Sequence, residues 1–371
     1  MRVLHFFKAA IPDSMGGTEQ VIHQIAQGSR AFGVDSTVLS LSSNPSPPSV
    51  VVNGYTSHRA KLDFEIASTG FSWSVLSRFK ALAGTSDVVH YHYPWPFMDV
   101  IHFASRLNKP TVVTYHSDII RQTRWLRLYR PLQERFLSDV SRIVATSGNY
   151  VESSPVLKRY ADKLRVIPIG LDRSTYPTPT PDRLNRWRTE LGEKFFLFVG
   201  VLRYYKGLHI LIEAARQTHL PIVIVGAGPI EQSLKQHAHH AGVSNVRFLG
   251  HVSDEDKVAL LSLSYCVLFP SHLRAEAFGV SLLEGAMFGK PMISSEIGTG
   301  TTYVNISGET GLVVPPRDPH ALRHAMLQLW HQPALAQSMG AQAARRYATL
   351  FTGSKMAQAY AELYRDLVQP E

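Results

Sequence analysis

"LPIVIVGAGPIEQSLKQHAHHAG", Leu220 to Gly242, is the stretch from which the fold is read. Ile222 to Val225 form a short apolar, β-branched run between Pro221 and Gly226, as a strand does. Gly226 and Gly228 make a turn, and Pro229 suits the opening of the helix that follows. A strand that turns at once into a helix is part of a βαβ unit, and the alternation runs outward in both directions. "KFFLFVG", "NVRFLG", "YCVLFP", "KPMISSE" and "TGLVVPP" read as strands. "GLHILIEAARQT", "SDEDKVALLSLS" and "FGVSLLEGAMFG" read as the helices among them.

Nearer the N-terminus the same pattern occurs once more. "RVLHFF", "DSTVLSLS", "DVVHYHYP", "PTVVTYHS" and "SRIVATS" read as strands, with helices over "GGTEQVIHQIAQGSRAFG" and "MDVIHFASRLN". After "LRVIPIGLD", the three prolines of "STYPTPTPDRL" read as an extended linker. "DPHALRHAMLQLWHQP" and the stretch from Pro333 to Leu367 close the chain as helices. The expectation is an α/β protein with two doubly wound parallel sheets, one in residues 1–170 and one in 171–345. Residues 346–371 are expected to form a helix returning to the first domain. Ligands of open parallel sheets bind beyond the carboxyl ends of the strands, so two such sheets facing each other predict a central cleft.

The 371 residues are 44% hydrophobic and 18% charged, a globular composition rather than a disordered one. The single cysteine, Cys266, excludes an intrachain disulfide and a cysteine metal cluster, and a reducing compartment is expected. His5 and Lys8 interrupt the N-terminal apolar run, so it does not read as a signal peptide, and no run of 18 apolar residues is present. The net charge of +9 favours anionic partners such as phosphorylated small molecules or anionic lipid.

Several short motifs carry candidate chemistry. Gly16 and Gly17 open the first helix, where a glycine turn and free N–H groups suit an anion, or where Thr18 caps a plain turn. Gly226-x-Gly228 resembles the start of a dinucleotide fingerprint, but Glu231 stands in place of the third glycine. In "GVLRYYKG", Arg203 and Lys206 follow a strand and suit a diphosphate. His116 and Asp118 lie just beyond a strand end. The histidines of "HYHY" and "HAHH" lack ligand spacing with carboxylates or cysteines, so no metal is assigned. Ser253 and Asp256 read as a capping box rather than as part of an acidic metal site. "RQTRWLRLYRPLQERF" is the most basic stretch, with Trp125, Leu128, Tyr129 and Leu132 on one side and Pro131 ending or kinking the helix. Arg121, Arg124, Trp125 and Arg127 there form a candidate contact with an anionic membrane surface or acceptor. In "RAEAFGVSLLEGAMFGKP", Glu276 and Glu284 stand with seven residues between them in an otherwise apolar stretch.

Taken together, Gly16-Gly17-x-Glu19, His116, Lys206-Gly207 and Glu276-x7-Glu284 resemble the retaining glycosyltransferases of family 4, of the GT-B fold. "TYHSD", "LRYYKG" and "GTGTTYVN" are similar to the mannosyl- and rhamnosyl-type branch that builds bacterial surface polysaccharide. The resemblance implies two Rossmann-like domains, with acceptor mainly in the first and nucleotide sugar mainly in the second. It implies a GDP-sugar donor, a polyprenyl-diphosphate-linked glycan acceptor, no metal or other cofactor and no nucleic-acid partner. The setting it implies is cytoplasmic, peripheral at the inner face of the membrane. By the same resemblance Glu276 would contact hydroxyls of the donor sugar, Glu284 the ribose, and Lys206 the diphosphate. The backbone of Phe278, Gly279 and Val280 would lie against the donor, Gly17 near the phosphate, and His116 near the transferred sugar. One departure stands out: the arginine that commonly follows the phosphate-loop glycine is Val201 in this chain, and Arg203 is the candidate replacement. UDP- or ADP-sugar transfer, a sugar-nucleotide epimerase and a non-catalytic nucleotide-sugar-binding partner are the competing readings.

Overall fold

The computed structural model describes residues 1–67, 69–119 and 123–369, with side chains described from residue 127 onward in the helix that starts at Thr123. The first part of the chain forms β1 (Arg2–Phe6), α1 (Gly17–Gly28), β2 (Asp35–Ser42), β3 (Ser49–Val52), β4 (Tyr55–Lys61), β5 (Phe64–Ile66) and β6 (Thr69–Phe71). It continues with α2 (Val75–Thr85), β7 (Val88–Tyr93), α3 (Pro96–Ser105), β8 (Thr111–Tyr115), α4 (Thr123–Asp139), β9 (Arg142–Ala145), α5 (Gly148–Ser153) and β10 (Leu164–Val166). Then follow α6 (Pro181–Leu191), β11 (Phe196–Val199), α7 (Leu208–Ala215), β12 (Ile222–Val225), α8 (Glu231–His240), β13 (Val246–Gly250) and α9 (Asp254–Leu263). The chain closes with β14 (Cys266–Phe269), α10 (Val280–Met287), β15 (Met292–Ser295), α11 (Thr301–Val304), β16 (Gly311–Val314), α12 (Pro319–His331), α13 (Pro333–Leu350) and α14 (Gly353–Val368).

These elements form two compact units, Met1–Gly170 with Gly353–Glu371, and Leu171–Thr352. The second unit holds one sheet in the order β13-β12-β11-β14-β15-β16, parallel throughout. The chain steps outward from β11 to β13, then jumps back to β14 and steps outward the other way. Strand order therefore reverses between β11 and β14, the place where an open α/β sheet leaves room for a ligand. The first unit repeats the device. Its sheet runs β10-β9-β8-β7-β1-β2-β4-β3, with the reversal between β1 and β7 and an antiparallel edge at β3. Each sheet carries an apolar core on at least one helix-covered face. The first core is built around Phe6, Phe79, Tyr91 and Phe136, the second around Phe196, Ile224, Leu268 and Met326.

Three local expectations are corrected. The proline stretch is not a linker, because the units change at Gly170 and Leu171, before it begins. Pro181 is the first residue of α6, Thr180 caps that helix, and the prolines ahead of it lead the chain over the second unit. Pro131 does not end its helix, since α4 continues past it to Asp139. Proline there removes one N–H, while Phe136 and Leu137, fully buried beyond it, keep the next turns docked. Leu128 does not share a buried side with Tyr129: it is 76% exposed, and Tyr129 turns inward to donate a hydrogen bond to Asp99. The region 49–85 carries strands and a helix that the periodicity did not reveal. Its clearest signal was Asn53-Gly54, whose φ values of 40° and 94° make the tight hairpin turn between β3 and β4.

Phe196 is fully buried and its ring lies 5.8 Å from that of Trp330. Phe196→Ala is expected to destabilise the second unit by about 3–5 kcal/mol. Calorimetry should show its unfolding transition moved to lower temperature, and an unmoved transition would contradict this packing.

Candidate active site

The site of the second unit is built from the loops that leave β11 and β14. After β11 the chain passes through Gly200, then Leu202 is fully buried while Val201 and Arg203 face outward. A short turn, Tyr204–Lys206, ends at Gly207 with φ +73°. A side chain at Gly207 would meet the carbonyl oxygen of Pro270 at 1.9 Å, so this glycine lets the β11 loop press against the β14 loop. The His272 N–H then donates to the Tyr205 carbonyl at 2.9 Å and stitches the loops together. The result is an ion pair between Lys206 Nζ and Glu276 Oε2, with Ser271 Oγ donating to the same oxygen at 3.4 Å. Both charged side chains are nearly buried, 11% and 12% exposed. Burial lowers the Lys206 pKa, but the Glu276 carboxylate and Tyr205 together raise it further, and the ammonium is held above its ordinary value.

Gly226 and Gly228 belong to the same scaffold. A side chain at Gly226 would meet the Gly200 carbonyl oxygen at 2.0 Å, and one at Gly228 the Leu202 carbonyl oxygen at 2.4 Å. The dinucleotide-like pair is thus explained by backbone packing beneath the Lys206 loop.

Glu284 lies on α10 and is buried. Its Oε1 accepts a hydrogen bond from the Tyr176 hydroxyl at 3.1 Å and pairs with Lys257 Nζ at 3.2 Å. Burial lowers the Lys257 pKa, but Glu284 and Asp254 raise it further, and it stands above its usual range. Neither Tyr176 nor Lys257 was found from the sequence. One lies in the proline stretch and the other beside a helix cap, and nothing local marks them. The helix expected from Phe278 begins at Val280, because Gly279 has φ +94°. The N–H groups of Leu282 and Leu283 both reach the Gly279 carbonyl, which leaves the amides of Val280 and Ser281 without intrahelical acceptors. Ser281 Oγ donates to the Val199 carbonyl at 2.7 Å and ties this helix start to the end of β11. The Phe278 side chain is buried beneath Gly300, so only its backbone is available to a ligand. Ser253 caps α9 by accepting from the Asp256 N–H at 3.1 Å, and the Asp256 carboxylate is taken by Arg183, Arg186 and Trp187.

In the first unit Gly16 caps α1, and the Glu19 carboxylate folds back over it to accept from Ser14 Oγ at 2.9 Å. His116 lies just past β8 and is 8% exposed, with Nε2 3.0 Å from Nδ1 of His92. Asp118 is structural: its Oδ1 accepts from Tyr115 and Ser154, at 2.9 and 3.0 Å. His5, His90 and His92 bring ring nitrogens within 4.8 Å of one another. Both nitrogens of His90 and of His92 already have hydrogen-bond partners. Arg121 lies outside the described residues, as do the side chains of Arg124 and Trp125. Arg127 is exposed and borders a cavity of about 530 Å³ with Arg130, Arg159, Ile119, Pro155 and Val156.

The family described as Glycosyl transferases group 1 matches residues 182–346, and that described as Glycosyltransferase Family 4 matches residues 15–175. The chain is 60% identical to the D-rhamnosyltransferase WbpZ of Pseudomonas aeruginosa over 352 residues, 95% of this chain and 92% of the relative. It is 48% identical to an O-antigen chain mannosyltransferase C of Escherichia coli, over 100% of this chain and 99% of the relative. Among solved structures, a sucrose-phosphate synthase from Thermosynechococcus elongatus superimposes with a TM-score of 0.82 at 20% identity, covering 99% of this chain and 98% of that one. That likeness speaks for the fold alone.

Removing one member of the Lys206–Glu276 pair leaves the other charge nearly buried and unpaired. Lys206→Ala is expected to cost about 3 kcal/mol of stability in the second unit. The double change with Glu276→Ala should cost clearly less than the sum of the two single changes. Additive losses in thermal unfolding would show that the two groups are not coupled.

Proposed function

The chain belongs to glycosyltransferase family 4, with the GT-B fold, and on that premise we propose that it moves mannose or D-rhamnose from a GDP-sugar to a lipid-linked O-antigen acceptor, with retention. The observation that carries the reading is the Lys206–Glu276 pair at the strand reversal of the second unit, with Glu284 farther along the same segment. The relatives' names, D-rhamnosyltransferase and O-antigen mannosyltransferase, support the choice of sugar and of polymer.

In this reading the ligand takes the pair apart and satisfies each half. The diphosphate accepts from Lys206 and from the amides of Val280 and Ser281, with Arg203 beside them. The sugar hydroxyls donate to Glu276, and the ribose hydroxyls to Glu284, whose second oxygen is left over from Tyr176 and Lys257. Charge grows on the leaving phosphate as the glycosidic C–O bond breaks, and cations and N–H groups already in place stabilise it. The acceptor hydroxyl attacks the same face of the anomeric carbon, forms the new C–O bond and gives its proton to the departing phosphate. A trapped glycosyl-enzyme adduct would overturn that step. The positive groups named supply the charge compensation, which supports a reaction without a metal.

His116 is the group of the first unit assigned to a sugar hydroxyl. The cavity beside Arg127 sets guanidinium groups next to Ile119, Pro155 and Val156. That pairing suits a phosphate joined to a hydrocarbon chain, and it supports a polyprenyl diphosphate acceptor and attachment at a membrane surface. No helix of the described residues is long and apolar enough to cross a membrane.

Thermal unfolding with GDP, UDP, ADP and NAD tests the donor. GDP at 100 times its Kd should add about 2.7 kcal/mol, and preference for another nucleotide would displace the GDP reading. Glu276→Ala should abolish turnover while nucleoside diphosphate affinity is kept or raised, since Lys206 is freed for the phosphate, whereas equal loss of both would remove Glu276 from the sugar. Arg127→Glu should raise KM for a polyprenyl diphosphate acceptor about tenfold or more without changing GDP binding. An unchanged KM would take the acceptor out of that cavity.

A further inference from the structure

Five polar side chains share one face of the first sheet. His5 on β1 is in register with His90 on β7, and His92 with Thr114 on β8. Alternate residues of a strand share a face, so His5, His90, His92, Thr114 and His116 all point the same way. Phe6, Tyr91, Tyr93 and Tyr115 point the opposite way, into the apolar core. Helix α14 meets the histidine face. Its Tyr364 hydroxyl is 2.6 Å from His90 Nδ1, and its Tyr360 hydroxyl 2.8 Å from Thr114 Oγ1. Thr114 Oγ1 is in turn 2.7 Å from His90 Nε2, so His90 is closed by these partners.

The other three rings form a line. His116 Nε2 meets His92 Nδ1 at 3.0 Å, and His92 Nε2 meets His5 Nδ1 at 3.1 Å. The line ends at His5 Nε2, which is buried and has no partner among the described residues. Burial holds the pKa of His5 and of His116 down to about 3 and that of His92 well below its ordinary value, so the rings are neutral.

Two neutral proton arrangements keep both contacts. In the first, every ring carries its proton on Nδ1: His5 donates to His92, His92 donates to His116, and His116 presents an N–H outward. In the second, every proton sits on Nε2, His116 presents a bare nitrogen, and His5 keeps a buried N–H with no acceptor. Orphaned buried N–H groups are rarer than under-satisfied acceptors, so the first arrangement is the stable one. We infer that His5 and His92 are positioning residues that fix His116 as the Nδ1–H tautomer, so that it donates a hydrogen bond to a substrate oxygen and does not act as a base. The inference rests on the reading that His116 touches a substrate hydroxyl.

The full chain labelled with 15N-histidine allows a direct test by long-range 1H–15N correlation. His5, His92 and His116 should each read as neutral and protonated on Nδ1 from about pH 6 to pH 8. Protonation of His116 on Nε2, or a mixture of tautomers, would overturn the inference while leaving the functional reading intact. His92→Phe should release His116 into a mixture and lower kcat about tenfold with KM for the donor nearly unchanged. His92→Gln, whose amide can accept from His5 and donate to His116, should recover much of that loss. An unchanged kcat in folded His92→Phe overturns the positioning role. Normal turnover in His116→Ala removes the premise, a failure the tautomer measurement does not share. One zinc per purified chain, lost in a His90→Phe variant, would also overturn it by making the cluster a metal site.

Discussion

The reversal of strand order between β11 and β14 is the constraint on which the second unit depends. It places the end of one strand and the end of the other side by side, and so brings together Lys206 and Glu276, seventy positions apart in the chain. Neither charge is tolerable there alone, because a nearly buried ion loses several kcal/mol of solvation. As a pair they compensate each other, which lets a charged site exist at the edge of an apolar core. The same compensation sets what a ligand must offer. An anion that engaged only Lys206 would leave Glu276 stranded, and a neutral polyol that engaged only Glu276 would strand Lys206. On the proposed reading, a sugar diphosphate replaces both partners at once, and selectivity follows from the cost of satisfying only half of the pair.

A pair of this kind is useful only if its backbone cannot move, and the glycines account for that rigidity. Gly207 admits the Pro270 carbonyl, Gly226 the Gly200 carbonyl and Gly228 the backbone of Leu202. The loops after β11, β12 and β14 thus lie backbone on backbone, with no side chains between them to act as soft spacers. Ser281 adds a fourth fastening from α10 to the end of β11. Small rigid contacts of this sort hold a charged group in place better than packing by long side chains, each of which has rotamers to lose.

The legible parts of the chain were those with strong periodicity or fixed local chemistry. Apolar runs such as "IVIV" and "FLFV" announced their strands because parallel strands are buried on both faces. Ser253 and Asp256 announced a cap because the capping box is local. Regions 49–61 and 64–71 were not legible, since β4 reads as the polar run YTSHRAK and β5 and β6 have only three residues each. Gly226 and Gly228 showed their spacing but not their reason, which lies in the loop from Gly200 to Leu202. Tyr176 and Lys257 escaped for a related cause: each meets Glu284 only through tertiary packing. The alternation in "HYHY" was visible, yet its meaning needed β1 and β8 on either side to show that three imidazoles line up.

The histidine face of the first unit and the site of the second handle buried polarity in opposite ways. The second keeps its ions and pairs them, Lys206 with Glu276 and Lys257 with Glu284. The histidine face removes charge: burial keeps His5, His90, His92 and His116 neutral, and hydroxyls of Tyr360, Tyr364 and Thr114 complete the network. The difference suits the proposed chemistry. A leaving diphosphate needs full positive charge, which ammonium and guanidinium groups provide even when desolvated. A glycosyl group becomes cation-like as its bond to phosphate breaks, and an imidazolium against its hydroxyls would oppose that change. A neutral imidazole can hold a hydroxyl oxygen without that penalty. Burying His92 and His5 behind His116 keeps the ring neutral, because a proton added anywhere along the line would have to be desolvated with it.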